Sequence, residues 1–307
     1  MSLALESRTG RRERRRARAA SRPGARGAPF LATITGLYLA WSLVPVLIAV
    51  LFSFNDGRSR TQWQGFSLRW YVTDPLRSVL VDEALQTALV HTFRLGLLVT
   101  LVTVPLGTLL ALGLDRWRGR IPAGANFLVL LSFVLPEVLL AVALLFVATT
   151  VNTLVWTPVQ LGTLGQVVGL VTFQVSYPVI IVRARLLTIG RQYEEAAVDL
   201  GASPAGAVRR VLLPMTAPAI LASAVLVFAD VIDDFVLVRY LSGGAGTEPV
   251  SVKIYNTARA APTPALNAVA TLVLVASLLA VLVGYLAYRR LTRGERDAGI
   301  DVFTGEA

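Results

Sequence analysis

Glu195-Ala196-Ala197-Val198-Asp199-Leu200-Gly201-Ala202-Ser203, followed seven residues later by Val211-Leu212-Leu213-Pro214, is a polar island between long apolar segments. The spacing predicts a helix from Arg191 to Leu200, in which Ala196, Ala197 and Leu200 form a small apolar patch beside Glu194, Glu195 and Asp199. Gly201 stops that helix. Ser203 is a good N-cap and Pro204 suits the first helical position, so a second helix should run toward Leu212 until Pro214 breaks it. The product is an elbow: helix, glycine turn, helix. By spacing alone it fits a docking site or a plain connector between membrane spans. A DNA-binding helix-turn-helix fits poorly, because apolar spans hem the unit in and only Arg209 and Arg210 offer close phosphate contacts.

Composition sets the class. Hydrophobic residues make up 55% of the 307 and charged residues 16%, far from a soluble domain and close to a multispanning membrane protein. There is no cysteine and a single histidine, which excludes disulfides, thiolate metal sites and multi-His sites. The net charge of +10 is almost wholly arginine, since Lys253 is the only lysine. A P-loop needs Gly-Lys-Ser/Thr, and Lys253 follows Val252, so this polypeptide carries no Walker-type ATP site.

Hydropathy and the positive-inside rule then order the chain. Residues 1–28, with nine arginines between Arg8 and Arg26, read as a disordered cytoplasmic tail that orients the protein or touches anionic lipid or nucleic acid. Spans are expected at 29–54, 84–114, 126–151, 165–182, 218–240 and 265–288, each long enough for a bilayer core of roughly 30 Å. The first is too long for a signal-peptide core and is expected to remain as an anchor. Segment 55–83, with Trp63, Trp70 and Tyr71, and segment 241–264, rich in Gly and Pro, become external loops. Asp115–Arg120, Arg183 with Arg185, and Arg289 onward lie on the basic, inner side. The expectation is an all-α membrane protein of six transmembrane helices with both termini cytoplasmic. Its transmembrane core covers 84–289, the elbow 188–214 faces the cytoplasm, and 290–307 form a cytoplasmic tail.

Charges inside spans point to function, because each costs roughly 2.5–3.5 kcal/mol at the bilayer centre unless it meets a partner or water. Asp230, Asp233 and Asp234 would share an arc of about 100° on a continuous helix, with Phe228, Phe235 and Tyr240 nearby. Such a face attracts a cation. Ion pairing inside the bundle, with Arg94, His91 or Arg239, is the structural alternative. Glu137, after Pro136, is assigned to pairing with Arg94 or to bonding a freed carbonyl. Pro105, Pro136 and Pro178 are expected to act as kinks.

The elbow, with every diagnostic position filled, resembles the EAA motif of the membrane subunits of binding-protein-dependent ABC importers. A second set of residues extends the likeness over roughly 30–290. Phe54-Asn55, Trp63-Gln64-Gly65-Phe66, Trp70-Tyr71, Asp233-Asp234, Pro249, Lys253-Ile254-Tyr255, Pro264 and Asn267-Ala268-Val269-Ala270-Thr271 resemble the second permease subunit of spermidine/putrescine importers. One departure is Val171-Thr172-Phe173, where that family often has a histidine before Thr-Phe.

The resemblance implies a type I ABC importer permease in the cell membrane, with polyamine cargo or another small solute. It implies three kinds of partner: ABC ATP-binding subunits, a second permease in a heterodimer, and an extracytoplasmic solute-binding protein. The lipid bilayer surrounds the chain, no nucleic acid is involved, and no cofactor is held here, ATP and Mg being bound by the partner ATPase. Glu195, Ala196, Ala197, Asp199, Gly201, Ala202, Ser203 and Pro214 are expected to couple to that ATPase, and Asp230, Asp233, Asp234 and Phe235 to line the substrate path. An ion channel or secondary transporter would explain the spans and acids without needing the elbow. A membrane enzyme built on Asp233, Asp234 and His91 lacks any nucleophile or ligand arrangement.

Overall fold

The computed structural model describes residues 28–59, 61–117, 120–154, 161–260 and 263–291. The arginine-rich start, the tail beyond Leu291 and part of the segment between the third and fourth expected spans lie outside them. Residues up to Leu51 form one compact unit and those from Phe52 another. The first unit contains α1 (Ala28–Phe52), apolar along its whole length.

In the second unit regular structure is helical, apart from a bridge between Asn55 and Phe66. Asp82 caps α2 (Glu83–Arg116) by accepting from the Ala84 and Leu85 amides, and the helix passes through Pro105 unbroken. Then follow α3 (Arg120–Val134), α4 (Glu137–Leu154), α5 (Thr163–Gln174) and α6 (Ser176–Ile189). The elbow is α7 (Gln192–Asp199) and α8 (Pro204–Ala207), which a π turn at Val208–Leu212 joins to α9 (Leu213–Asp233). A short α10 (Val236–Tyr240), then α11 (Val250–Ala260) and α12 (Ala265–Leu291), complete the described chain.

Helices α2, α6 and α9 pack against one another, α12 lies on α9, α5 on α2, and α10 on α4. The central core joins Leu95 and Val99 of α2 to Leu170, Val227, Val231 and Leu237. A second cluster, around Trp70, Leu85, Val250 and Val269, closes the end away from the elbow. There Asn55 accepts from the Gln64 amide at 2.7 Å while its carbonyl receives the Trp70 indole N–H at 2.6 Å, which orders the segment before α2. Outward faces stay apolar too, as at Leu278, Leu279 and Leu282 of α12. A helix apolar on both faces suits lipid rather than water.

Among the described residues, five helices are long and apolar enough to cross a membrane, or up to six if the bent pair α3–α4 counts as one span. The kink expected at Pro136 is a 108° bend between α3 and α4, because Pro136 lacks the amide that would continue the ladder. Three expectations are corrected here. The fifth span is not 218–240. Its helix ends at Asp233, where Asp234 turns extended, and the preceding stretch is continuous from Pro204. Pro214 therefore does not break the elbow's second helix. The π turn bonds the Leu213 amide to the Val208 carbonyl, five residues back, and makes room for the proline ring. Finally, the loop 241–264 contains α11, an eleven-residue helix.

Candidate functional site

The elbow forms by local rules. Gly201 takes φ +90, a conformation that L side chains avoid, and the Ala202 amide bonds back to the Ala197 carbonyl at 2.9 Å to close α7. Ser203 Oγ accepts from the Gly206 amide at 3.1 Å, and Pro204 opens α8. Glu195, Ala196, Asp199 and Gly201 are exposed, Ala197 and Ala202 half-buried, and Leu200 is 89% exposed. A groove of about 600 Å³ lies between the two elbow helices, lined by Glu195, Val198, Asp199, Pro204, Ala205 and Val208 among others. Beneath it Ala111, Val182, Leu186, Ile189 and Leu212 form a buried cluster that ties the elbow's root to α2, α6 and α9. All eight expected coupling residues thus lie on this elbow or at its exit into α9.

The acids fall differently. The break at Asp234 splits the expected three-carboxylate face. Asp230 accepts from Gln174 Nε2 at 2.5 Å. Asp234 is buried, and its carboxyl group lies close enough to Glu137 for the two to interact electrostatically. Tyr177 sits within electrostatic range of both Asp230 and Glu137, flanked by Phe133 and Phe173 with ring centroids at 5.6 and 6.4 Å. The 108° bend is what brings Glu137 here, at the first position of α4. Backbone groups freed at the Asp234 break are satisfied inside the protein. The Asp234 carbonyl accepts from Ser251 Oγ at 2.6 Å and its carboxylate from the Val238 amide at 3.2 Å.

Asp233 points elsewhere, into a pocket of about 250 Å³ lined by Ile232, Val250, Ser251, Ile254 and Ser277 among others. Phe235 leaves the acidic group as well. It packs on Tyr255 at 4.9 Å, and Arg239 lies over both rings at 5.9 and 5.0 Å. Among the described residues no ion pair involves Asp230, Asp233 or Asp234, so the pairing with Arg94, His91 or Arg239 is not made. His91 instead bonds Gln166 at 2.8 Å, and Gln166 donates to the Val238 and Thr247 carbonyls. Glu137 meets Asp234 rather than Arg94, which lines a separate pocket with Glu83 and His91.

Gln174 and Tyr177 were missed as site residues. The signal was present in Gln166 and Gln174, two amides in an apolar span whose burial requires partners. Among the described residues no group of three or more His, Cys, Asp or Glu is arranged to hold a metal ion.

This is a bundle of membrane-length helices with an exposed helical elbow, and solved structures share the fold. A bacterial ABC transporter involved in the import of the acidic polysaccharide alginate superposes with a TM-score of 0.72 at 18% identity, over 87% of this chain and 97% of that one. The MetNI methionine ABC transporter, in an inward-facing conformation, does so with a TM-score of 0.56 at 21% identity, over 72% and 100%.

Residues 103–297 match the family described as binding-protein-dependent transport system inner membrane component, and the chain belongs to that family. It is 31% identical over 277 residues to the putrescine transport system permease protein PotI of Escherichia coli (strain K12), covering 90% of this chain and 95% of that one. To the spermidine/putrescine transport system permease protein PotC of the same strain it is 31% identical over 265 residues, 85% and 94%. The chain is accordingly a permease subunit of an ABC importer, a transport component and not an enzyme.

Proposed function

We propose that this subunit moves a polyamine across the cell membrane, driven by a separate ATPase that docks on the elbow. One observation carries the cargo reading. Glu137, Asp230 and Asp234 converge from α4 and the end of α9 without an ion-paired arginine among the described residues, and Tyr177, Phe133 and Phe173 stand beside them. Adjacent carboxylates attract cations, and aromatic faces bind ammonium groups. A linear polycation satisfies both. The 31% identity to a putrescine and a spermidine/putrescine permease supports the same cargo. Asp233, in its own pocket across α9, and Phe235, covered by Arg239, take supporting places on the path.

The full assembly joins this chain to a second, similar permease, two ATP-binding subunits that hold ATP and Mg, and an extracytoplasmic solute-binding protein. The chain crosses the membrane six times, α3–α4 counting as one bent span, with both termini and the elbow in the cytoplasm. That leaves 1–28 and 290–307 as cytoplasmic tails and 55–83 as an external loop around the core 84–289.

ATP-driven closure of the ATPase pair displaces Glu195–Ser203 as a lever. Glu195 and Asp199 face the ATPase surface, Ala196, Ala197 and Ala202 permit close approach, Gly201 holds the turn, and Ser203 caps the arm. Pro214 is absorbed by the π turn, so the arm is continuous for 30 residues from Pro204 to Asp233. At 1.5 Å per residue that is about 45 Å, which carries the displacement to the acidic group.

The test is uptake by proteoliposomes holding the complete importer. Spermidine or putrescine should be taken up with ATP and should compete with each other. Uptake of an unrelated solute alone would overturn the cargo and leave the lever standing. Gly201→Asp should abolish both ATPase co-purification and uptake, and unchanged behaviour of that variant would sink the lever.

A further inference from the structure

Two adjacent acids in the elbow line the same groove but differ in exposure. Glu195 is exposed, whereas the Glu194 side chain is 15% exposed, and its Oε2 meets an Arg116 nitrogen at 2.5 Å. Arg116 is the last residue of α2 and also contacts the Asp115 carboxylate. Arg191, the residue before α7, donates from Nη2 to the Asp115 carbonyl at 2.6 Å. Two polar contacts therefore fasten the elbow to the end of α2, each pairing an elbow residue with Asp115 or Arg116. Close helix packing of α7 is with α8 and the π turn, its own hairpin. Its tie to α2 is made by these side chains.

The tie matters because of where α2 goes. Its 34 residues run from the elbow to the opposite end of the bundle. On the way Leu95 and Val99 pack in the core with Val227 and Val231. Gly96 lies where an added Cβ would sit 2.7 Å from Ile232 and 3.0 Å from Phe228, so α2 touches α9 beside Asp230. The elbow drives α9 through continuous backbone. Its own direct ties to α2, among the described residues, are the Arg116, Glu194 and Arg191 contacts and the apolar cluster at its root, beside the packing of α9 on α2.

We propose that Arg116, Glu194 and Arg191 form a latch that stays closed through the transport cycle and makes α2 travel with the elbow. This rests on the reading of the elbow as the ATPase's docking site. Its residues are positioning residues, since none touches solute. Partly buried, charge-assisted contacts of this kind hold orientation better than exposed pairs do. With the latch open, hydrolysis still displaces α9 while α2 lags, and the pathway opens incompletely.

The experiment measures solute moved per ATP hydrolysed by the complete importer in proteoliposomes. Glu194→Gln and Arg116→Gln should each lower that ratio about fivefold or more, the span of ordinary coupling energies, while the ATPase still co-purifies at wild-type yield. A merely structural role would lower yield, uptake and hydrolysis together. This chain has no cysteine of its own, so Arg116→Cys/Glu194→Cys can be bridged by a short bis-maleimide, which should restore the ratio.

Three results overturn the latch: wild-type coupling in Glu194→Gln, loss of ATPase co-purification in the same variant, or arrest of transport by the bridge. Gly201→Asp separates the two ideas. If it leaves assembly and uptake intact, the docking reading fails, whatever the latch variants do.

Discussion

The elbow and the acidic group are both short polar stretches in an apolar chain, yet they are built in opposite ways. Contacts that shape the elbow span a few residues: Ser203 to Gly206, Ala202 to Ala197, and the positive φ of Gly201. The acidic group draws Glu137, Gln174 with Tyr177, and Asp234 from three separate stretches, and it exists because two spans break. A locally built site tolerates change elsewhere in the bundle, whereas one assembled by packing depends on every interface that positions it.

That difference can be broken in graded steps. The largest effect is expected from Gly96→Leu, which wedges α2 away from Ile232 and Phe228. Overpacking of this kind costs about 1–3 kcal/mol. Thermal unfolding in detergent should show the loss, and polyamine uptake should vanish even though no acid was touched. Uptake near wild type would mean that the acidic group does not depend on the α2–α9 contact.

Asp230→Asn comes next. Removing one charge-assisted contact is worth roughly 1.5 kcal/mol, about tenfold in uptake. ATPase co-purification should stay unchanged, because the elbow is independent of the acids. Parallel losses of uptake and assembly would erase the distinction between the two regions.

Ser203→Ala should be milder. Loss of an N-cap costs about 1 kcal/mol, visible as faster hydrogen exchange at the Gly206 amide, with only a slight fall in coupling.

The smallest effect concerns Asp74, in the segment before α2. Burial alone would raise its carboxyl pKa. The Leu76 amide, the Arg69 side chain and the Arg77 amide more than reverse that, and they hold it below the ordinary value of 3.8. Its contribution to stability is therefore fully present above that value and lost only as pH falls through the depressed one. Emission from buried Trp70 should stay constant from neutral pH down to the ordinary carboxylate range and shift red below it. Asp74→Asn should remove that step.

Much of the fold was legible. Long apolar runs predicted α1, α2 and α12 to within a few residues, and cap chemistry predicted α7, the glycine turn and the start of α8. Prolines were read less well, because the same residue has different outcomes. Pro105 lies inside an unbroken α2, whereas the chain turns by 108° at Pro136. Near Pro105, Gly107 lets α2 rest against Pro178, where an added Cβ would sit 2.4 Å away, and the helix runs on unbroken. Pro136 precedes Glu137, whose carboxylate finds its neighbours only if the chain turns. Asp230, Asp233 and Asp234 were picked out correctly as unusual, but helical periodicity put them on one face. The break at Asp234 sends Asp233 to another pocket, and no local signal marks that break.

What the amino-acid order determined alone is the membrane class, the positions of most spans, the lack of a Gly-Lys-Ser/Thr P-loop and the geometry of the elbow. Each follows from hydropathy, charge or backbone preference over a few residues. Where the spans bend, which carboxylates meet and how the elbow is tied to α2 were decided only by the tertiary structure. A broken helix in lipid must satisfy its freed backbone groups inside the protein, and whether partners such as Ser251 for the Asp234 carbonyl stand there depends on residues far away in the chain.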